Sequence, residues 1–240
     1  MPETSQTYTF ARWKELRNYI LFMQFCCVSA CARCDIELAI LLDSSTKTNV
    51  NAWTQMRSFV ADIVRWYNIN SNCVRAAVVR YSTNAIVMIR LNTYSDVNSL
   101  AQAILQLQNV SGSSNLAAAL NLLQSQVFNI ARSGARRVVI IVTDRLQSST
   151  AITSAADSLK SQGIIIVAVG ITREENVQTR YISTIVSNGC AVLVNNYNQM
   201  ASDARSTIIQ QQCACPAILQ PVPSKCMHLL KYVYLSVYFI

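Results

Sequence analysis

The sequence is nearly devoid of histidine: His228 is the only one in 240 residues, and it lies close to the carboxyl terminus. This position excludes a Ser-His or Cys-His catalytic pair within the main body of the chain. The sequence also contains no Gly-x-Gly-x-x-Gly, Gly-x-x-x-x-Gly-Lys or Gly-x-Ser-x-Gly motif, so the usual signatures of dinucleotide binding, P-loops and serine hydrolases are absent. Nothing positive supports a hydrolase built on carboxylates alone, and we predict that the protein is not an enzyme.

Charged residues are also scarce, at 13% of the chain, although the formal net charge is +8. A basic surface can attract acidic polysaccharides or anionic membranes. Here, however, the basic residues are scattered, and only Arg132, Arg136 and Arg137 lie close together. No aromatic residues are interleaved with them, and no nucleic-acid-binding motif is present. We therefore predict an ordinary solvated surface and no nucleic-acid partner.

Two long apolar runs each end in a carboxylate. Residues 35–45 read Asp-Ile-Glu-Leu-Ala-Ile-Leu-Leu-Asp-Ser-Ser, and residues 137–144 read Arg-Val-Val-Ile-Ile-Val-Thr-Asp. Such runs are typical of strands that are buried on both faces of a parallel sheet. Asp43 and Asp144 would then meet at the carboxyl edge of the sheet, where open α/β sheets bind their ligands. Carboxylates with neighbouring hydroxyls predict a hard-cation site, which suits Mg²⁺. Four other acidic residues are interpreted as ordinary surface charges: Asp35, Glu37, Asp62 and Asp157.

The apolar spacing alternates between strand and helix along the chain. We predict six strands, at about 35–42, 74–81, 85–90, 137–143, 164–169 and 191–194. Between and after them we predict helices, around 53–67 and at about 95–107, 116–131, 149–161, 172–187 and 198–211, with Ser95 as one of the caps. The second and third strands are close enough for a hairpin, so the third is predicted to be an antiparallel edge strand. The predicted fold class is α/β, a doubly wound, mostly parallel six-stranded sheet with helices on both faces.

From about Cys34 to about Cys213, the chain resembles the von Willebrand factor type A domain, also called the integrin I domain. The family's metal-ion-dependent adhesion site reads Asp-x-Ser-x-Ser after the first strand, a Thr in a Gly-rich loop, and an Asp after the fourth strand. The matching residues here are Asp43, Ser45, Ser114 and Asp144. The resemblance implies a bound Mg²⁺ or Mn²⁺ that leaves one coordination position for an acidic residue of a protein partner.

Lys47 departs from the pattern of that family. It falls on the second Ser of Asp-x-Ser-x-Ser, so a ligand oxygen is replaced by an ammonium group. If the ammonium points inward, it competes with the metal ion and pairs with the carboxylates instead. If it points to solvent, three or four oxygens remain and weaker Mg²⁺ binding survives. The predicted adhesion site is therefore a degenerate one.

The amino terminus and the cysteines predict a secreted or cell-surface protein. Residues 1–32 are predicted to be a signal peptide, because basic residues precede the apolar stretch 19–28 and Ala30-Cys31-Ala32 follows it. A poorly ordered apolar terminus or a mispredicted first exon is the alternative. Removal of residues 1–32 leaves six cysteines, an even number that suits an oxidising compartment.

Extracellular members of the family often tie the two ends of the domain together, which implies that Cys34 bonds Cys213 or Cys215. Cys73 is expected to pair with whichever of these two remains. A pair between Cys73 and Cys190 is not expected, because their strands are four positions apart in the family's sheet, or about 19 Å, and a disulfide needs Cα atoms within about 7 Å. The alternative is that several cysteines are free buried thiols.

The predicted domain organisation is a signal peptide at 1–32, a von Willebrand factor type A-like domain at 34–213, and a linker with an apolar tail at 214–240. The tail is a remnant of a truncated gene model, an interfacial anchor or a lipid-anchor signal, so membrane contact is expected only if it belongs to the mature protein. Asn109 begins an Asn-x-Ser glycosylation sequence beside the predicted site loop.

Together these features predict an extracellular protein-binding module of the adhesion or matrix type. Two alternatives remain open at this point. One is a metal-free structural or assembly module, favoured by Lys47. The other is an intracellular scaffold of the same family, which an uncleaved amino terminus and reduced cysteines would favour.

Overall fold

A six-stranded sheet forms the centre of the protein in the computed structural model, which describes residues 35–45, 50–144, 149–171, 178–187 and 190–194. The strands are β1 (Ile36–Asp43), β2 (Val74–Tyr81), β3 (Ala85–Ile89), β4 (Arg136–Thr143), β5 (Ile165–Ile171) and β6 (Ala191–Val194). Their order is β3-β2-β1-β4-β5-β6, and every neighbouring pair is parallel except β2 and β3. The predicted fold class is confirmed.

Several predictions from the sequence concern residues outside the described ranges. These are the signal peptide (1–32), the helix at 198–211, the tail (214–240), Lys47, Cys34, Cys213 and Cys215. The described residues all belong to one compact unit, Asp35–Pro216.

The two apolar runs occupy the middle of the sheet. All eight residues of β1 are buried, as are the last six of β4, because strands on either side and helices above and below exclude water from them. The chain runs outward from β1 through β2 to β3 and then returns to place β4 on the other side of β1. This reversal of direction puts the carboxyl ends of β1 and β4 at the point where open α/β sheets bind ligands.

Five helices are described: α1 (Val50–Arg65), α2 (Val97–Leu105), α3 (Leu116–Leu122), α4 (Thr150–Ser161) and α5 (Gln178–Ile185). Helix α1 packs against α2, whereas α4 packs against both α3 and α5, as expected for helices on both faces of the sheet. No helix within the described ranges has the length and apolar character needed to cross a membrane.

Two helix predictions need correction. Asp96, not Ser95, caps α2, because its carboxylate accepts a hydrogen bond from the Ser99 backbone N–H at 2.7 Å. The predicted helix at 116–131 is α-helical only to Leu122 and continues as a π-helical turn and a short 3₁₀ turn. The wider π-helical turn changes the helical phase, so the consecutive residues Val127 and Phe128 are both buried.

Glu37 is not the surface charge that the sequence predicted. Its side chain is fully buried near the amino end of β1, where it accepts hydrogen bonds from Arg75 at 3.0 and 3.1 Å and from Arg132. Arg132 also donates to the backbone carbonyl groups of Ile36 at 3.2 Å and Cys73 at 2.7 Å. A buried carboxylate requires such partners, and two guanidinium groups supply them here. Asp35, Asp62 and Asp157 are exposed or half-exposed, as predicted.

Two of the cysteines, Cys73 and Cys190, lie within the described residues. Cys73 is free, and its sulfur lies 3.7 Å from the Asn68 side-chain amide, whereas its expected partners Cys213 and Cys215 lie outside the described residues. Cys190, immediately before β6, is disulfide-bonded. Cys73 and Cys190 cannot bond each other because β2 and β6 are four strands apart in the sheet.

Candidate functional site

Asp43 is the centre of a polar cluster at the carboxyl edge of the sheet. Its Oδ1 accepts a hydrogen bond from the Ser45 backbone N–H at 2.9 Å. Its Oδ2 accepts hydrogen bonds from the hydroxyl groups of Ser114 at 3.0 Å and Thr143 at 2.7 Å. The structure thus joins the end of β1, the end of β4 and a distant loop at one carboxylate that is buried.

The loop that carries Ser114 is fastened to the strand ends by backbone hydrogen bonds. The Val110 N–H donates to Ser44 Oγ at 3.1 Å, and the Asn115 N–H donates to the Ser82 carbonyl at 2.9 Å. Asn115 also caps helix α3 through the Ala118 N–H. With both of its ends held, the loop presents the Ser114 hydroxyl directly to Asp43.

Gly112 allows the close approach of this loop to the turn after β2. Its φ of +118° is rarely adopted by residues that carry a side chain, and an added Cβ would lie 2.6 Å from Thr83 Oγ1. The same Thr83 hydroxyl accepts a hydrogen bond from the Ser113 N–H at 3.1 Å. The absence of a side chain at Gly112 therefore allows the hydrogen bond between Ser113 and Thr83, immediately before Ser114.

We expect Gly112→Ala to lower the free energy of unfolding by about 1–3 kcal/mol, because both backbone strain and the Thr83 contact oppose the new methyl group. Urea denaturation would measure the loss. Gly134→Ala is the matched control, since Gly134 has a φ of +75° but no atom lies within 4 Å of an added Cβ. Equal losses in the two variants would show that the contact with Thr83 does not matter.

The Ser45 hydroxyl lies close enough to Asp43 to lower the pKa of that carboxyl group, but it makes no well-formed hydrogen bond with the described residues. Within the described part of the chain, buried side-chain atoms without a hydrogen-bond partner are Ser45 Oγ, Tyr81 OH and Arg57 Nε. The first two belong to residues at the ends of β1 and β2, which are neighbouring strands. A buried hydroxyl without a partner is costly, so a ligand that coordinates it would stabilise the protein.

The electrostatics of the cluster favour a cation. Burial raises the pKa of Asp43, the hydrogen bonds from Ser45 and Thr143 act in the opposite direction, and the nearby Asp144 carboxylate adds to the rise. Ionised Asp43 therefore lacks a compensating positive charge among the described residues that face it. No group of three or more His, Cys, Asp or Glu side chains with metal-binding geometry occurs in the described ranges. An ion held here would depend on two carboxylates and on serine hydroxyls, which are oxygen ligands suited to Mg²⁺ or Mn²⁺.

The four residues predicted for the site are placed as follows. Asp43 and Ser114 are in direct contact, Ser45 binds Asp43 through its backbone, and half-buried Asp144 follows β4 close enough to affect the pKa of Asp43. Thr143 was not predicted, and its contact with Asp43 could have been anticipated only from its place beside Asp144. Asn109 is partly exposed, and its Oδ1 accepts a hydrogen bond from the Ser111 N–H at 3.1 Å.

Comparison with known sequences identifies related extracellular matrix chains. Residues 37–206 match the model of the von Willebrand factor type A domain. The chain is 28% identical over 148 residues to the collagen alpha-4(VI) chain of Mus musculus, covering 62% of this chain and 6% of that protein. It is 28% identical over 152 residues to matrilin-3 of Mus musculus, covering 60% of this chain and 31% of that protein. This chain therefore spans less than a third of the length of these relatives.

Solved structures share the fold. Proximal thread matrix protein 1 from the mussel byssus superposes with a TM-score of 0.67 at 18% identity, covering 76% of this chain and 49% of that chain. A structure of the same mussel protein has a zinc-occupied MIDAS motif, with a TM-score of 0.65 at 21% identity, covering 74% and 46% of the two chains. The manganese-loaded TRAP protein of Plasmodium vivax has a TM-score of 0.60 at 17% identity, covering 73% and 74%.

Proposed function

Because this chain belongs to the von Willebrand factor type A domain family, we propose that it is an extracellular protein-binding module of the adhesion or matrix type, whose metal-ion-dependent adhesion site is altered but functional. The observation that carries this proposal is the convergence of Asp43, Ser114 and Thr143 beside the unsatisfied hydroxyl of Ser45. This cluster lies at the reversal point of the sheet, where a ligand can approach.

The residues of the cluster would contribute to metal binding in different ways. Asp43 and Asp144 supply negative charge, and Ser45 and Ser114 supply neutral oxygen ligands. Thr143 holds Asp43 in place through its 2.7 Å hydrogen bond. A bound Mg²⁺ or Mn²⁺ would supply an electrophilic position for a carboxylate of the partner, so that two acidic surfaces can adhere. No residue of the cluster is proposed to act as a nucleophile or a general base.

A secreted or cell-surface location agrees with the family relationship. The relatives include collagen VI chains and matrilins, which are secreted proteins of the extracellular matrix. The partner is proposed to be another protein that offers an acidic residue. Solved members of the fold with zinc or manganese bound support the metal-dependent form of this proposal.

The main alternative is a metal-free structural or assembly module. It is favoured by Lys47, whose ammonium group replaces a ligand oxygen of the family pattern. Such a module would bind its partner through surface contacts that are independent of divalent ions. An intracellular scaffold of the same family is the remaining alternative.

Titration calorimetry of the full-length chain with Mn²⁺ tests the proposal. We expect weak, saturable binding by the unmodified chain and at least a tenfold loss in Asp43→Asn, because removing one carboxylate removes a ligand and a charge. A short glutamate-containing peptide should then bind in Mn²⁺ and not in EDTA.

Asp157→Asn is the control, since Asp157 is an exposed carboxylate on α4 that pairs with Lys160. It should bind Mn²⁺ like the unmodified chain. Peptide binding that survives EDTA, or an unmodified chain that takes up no Mn²⁺, would support the metal-free module instead.

A further inference from the structure

Tyr81 lies in the same row of the sheet as the cluster around Asp43. Asp43 of β1 is paired in register with Tyr81 of β2, and Leu42 of β1 with Val142 of β4, which places Thr143 next to Asp43 on the other side. Residues in one row of a parallel sheet project their side chains toward the same face. Tyr81 and Thr143 therefore flank Asp43, and the Ser44 N–H donates to the Tyr81 carbonyl at 2.7 Å.

The Tyr81 hydroxyl is fully buried and makes no well-formed hydrogen bond in the described part of the protein, although the side chains of Asp43 and Thr143 lie close to it. Asp43 already accepts its hydrogen bonds from Ser45, Ser114 and Thr143. A neutral phenol such as Tyr81 can donate one hydrogen bond and accept others.

We propose that the Tyr81 hydroxyl is a positioning group for the bound cation, hydrogen-bonding to a water molecule that the ion carries. This inference rests on the proposed metal site. Ser45 and Tyr81 carry the two unsatisfied hydroxyls beside Asp43. A hydrated ion offers each of them a partner, either the metal ion or a water molecule bound to it. The Ser45 oxygen is suited to direct coordination, and the phenol is suited to a coordinated water, because Mg²⁺ keeps several of its waters in proteins.

This arrangement would use Tyr81 to fix the orientation of the water shell beside the position left for the partner's carboxylate. Groups that orient the ligands of a metal ion contribute strongly to its affinity even though they do not touch it. The benzene ring of Tyr81, by contrast, fills space in the core whether or not an ion is bound. Removing the hydroxyl alone therefore distinguishes its effect on metal binding from the packing of the ring in the core.

The test is Tyr81→Phe in the full-length chain and in Lys47→Ser, with Mn²⁺ as the probe. We expect the substitution to weaken Mn²⁺ binding about 10- to 100-fold. In EDTA we expect the melting temperature to stay the same or rise, because an unsatisfied buried hydroxyl has been removed. Tyr94→Phe is the control, since Tyr94 is only partly buried and lies in the loop between β3 and α2.

A tyrosine ultraviolet difference spectrum on adding Mn²⁺ gives a second readout, and it should disappear in Tyr81→Phe but persist in Tyr94→Phe. If Mn²⁺ binds equally well with and without the Tyr81 hydroxyl, the inference is overturned while the metal site stands. If neither the unmodified chain nor Lys47→Ser binds Mn²⁺, the proposed metal site fails and the role of Tyr81 fails with it.

Discussion

Glu37→Ala is expected to lower the free energy of unfolding by about 3–5 kcal/mol, because it leaves buried positive charge without its partner. Glu37 is fully buried, whereas the side chains of Arg75 and Arg132 are 15% and 24% exposed. These guanidinium groups can reach some water after the carboxylate is removed, which favours the lower end of that range. Urea denaturation measures the loss through a shift in the midpoint with an unchanged slope.

Removal of the opposite partner in Arg132→Ala should lower the free energy of unfolding by at least as much. Arg132 neutralises Glu37 and also satisfies the backbone carbonyl groups of Ile36 and Cys73, which belong to β1 and the residue before β2. Its loss leaves a buried carboxylate with one partner and two carbonyl groups without this donor.

Asp62→Ala provides the comparison for an exposed ion pair. Asp62 binds Arg65 at 2.8 Å within α1, and both side chains are more than 40% exposed. We expect a cost of less than about 1 kcal/mol there. A Glu37→Ala variant that is as stable as Asp62→Ala would show that the buried cluster contributes no more than a surface pair.

Glu37 shows which part of the structure the sequence could not reveal. Its partners lie 38 and 95 residues away in the chain, so no local pattern connects them. A glutamate at the second position of a strand, two residues after an exposed aspartate, is indistinguishable in sequence from a solvated strand end. Only the sheet order, which places β2 and β4 on either side of β1, brings Arg75 and Arg132 to it.

The sheet itself was predictable because its signals are local and repeated. Unbroken apolar runs mark β1 and β4 as central strands, and the short gap between β2 and β3 marks the hairpin that makes β3 antiparallel. The helix at 116–131 was predicted too long, since apolar spacing does not distinguish an α-helical turn from the π-helical turn that follows Leu122.

The candidate site was predictable only in part. Asp43 and Asp144 were identified from the apolar runs that precede them, and the full set with Ser45 and Ser114 from the order of motifs that the chain shares with its family. Thr143 and Tyr81 were not, because a threonine or a tyrosine at the end of a strand is an ordinary strand residue in sequence. They lie beside Asp43 only because the register of the sheet aligns the ends of β2, β1 and β4.

Lys47→Ser is expected to strengthen Mn²⁺ binding about 100- to 1,000-fold, the largest effect on binding that we predict for this chain. Two unit charges about 4 Å apart interact by about 4 kcal/mol at an effective dielectric constant of 20, and about 1.4 kcal/mol corresponds to a tenfold change in affinity. The substitution removes this repulsion, and the serine restores an oxygen ligand to the Asp-x-Ser-x-Ser pattern. Calorimetric titration of the full-length variant with Mn²⁺ measures the gain.

Lys160→Ser is the matched control, because it removes the same charge from the surface pair that Lys160 forms with Asp157 on α4. It changes the net charge as Lys47→Ser does, but it should leave Mn²⁺ affinity nearly unchanged. Equal gains in the two variants would mean that overall charge, not the position of Lys47, limits binding. Binding by Lys47→Ser alone, with none by the unmodified chain, would mean that the ammonium group has taken the place of the ion and that the natural domain works without metal.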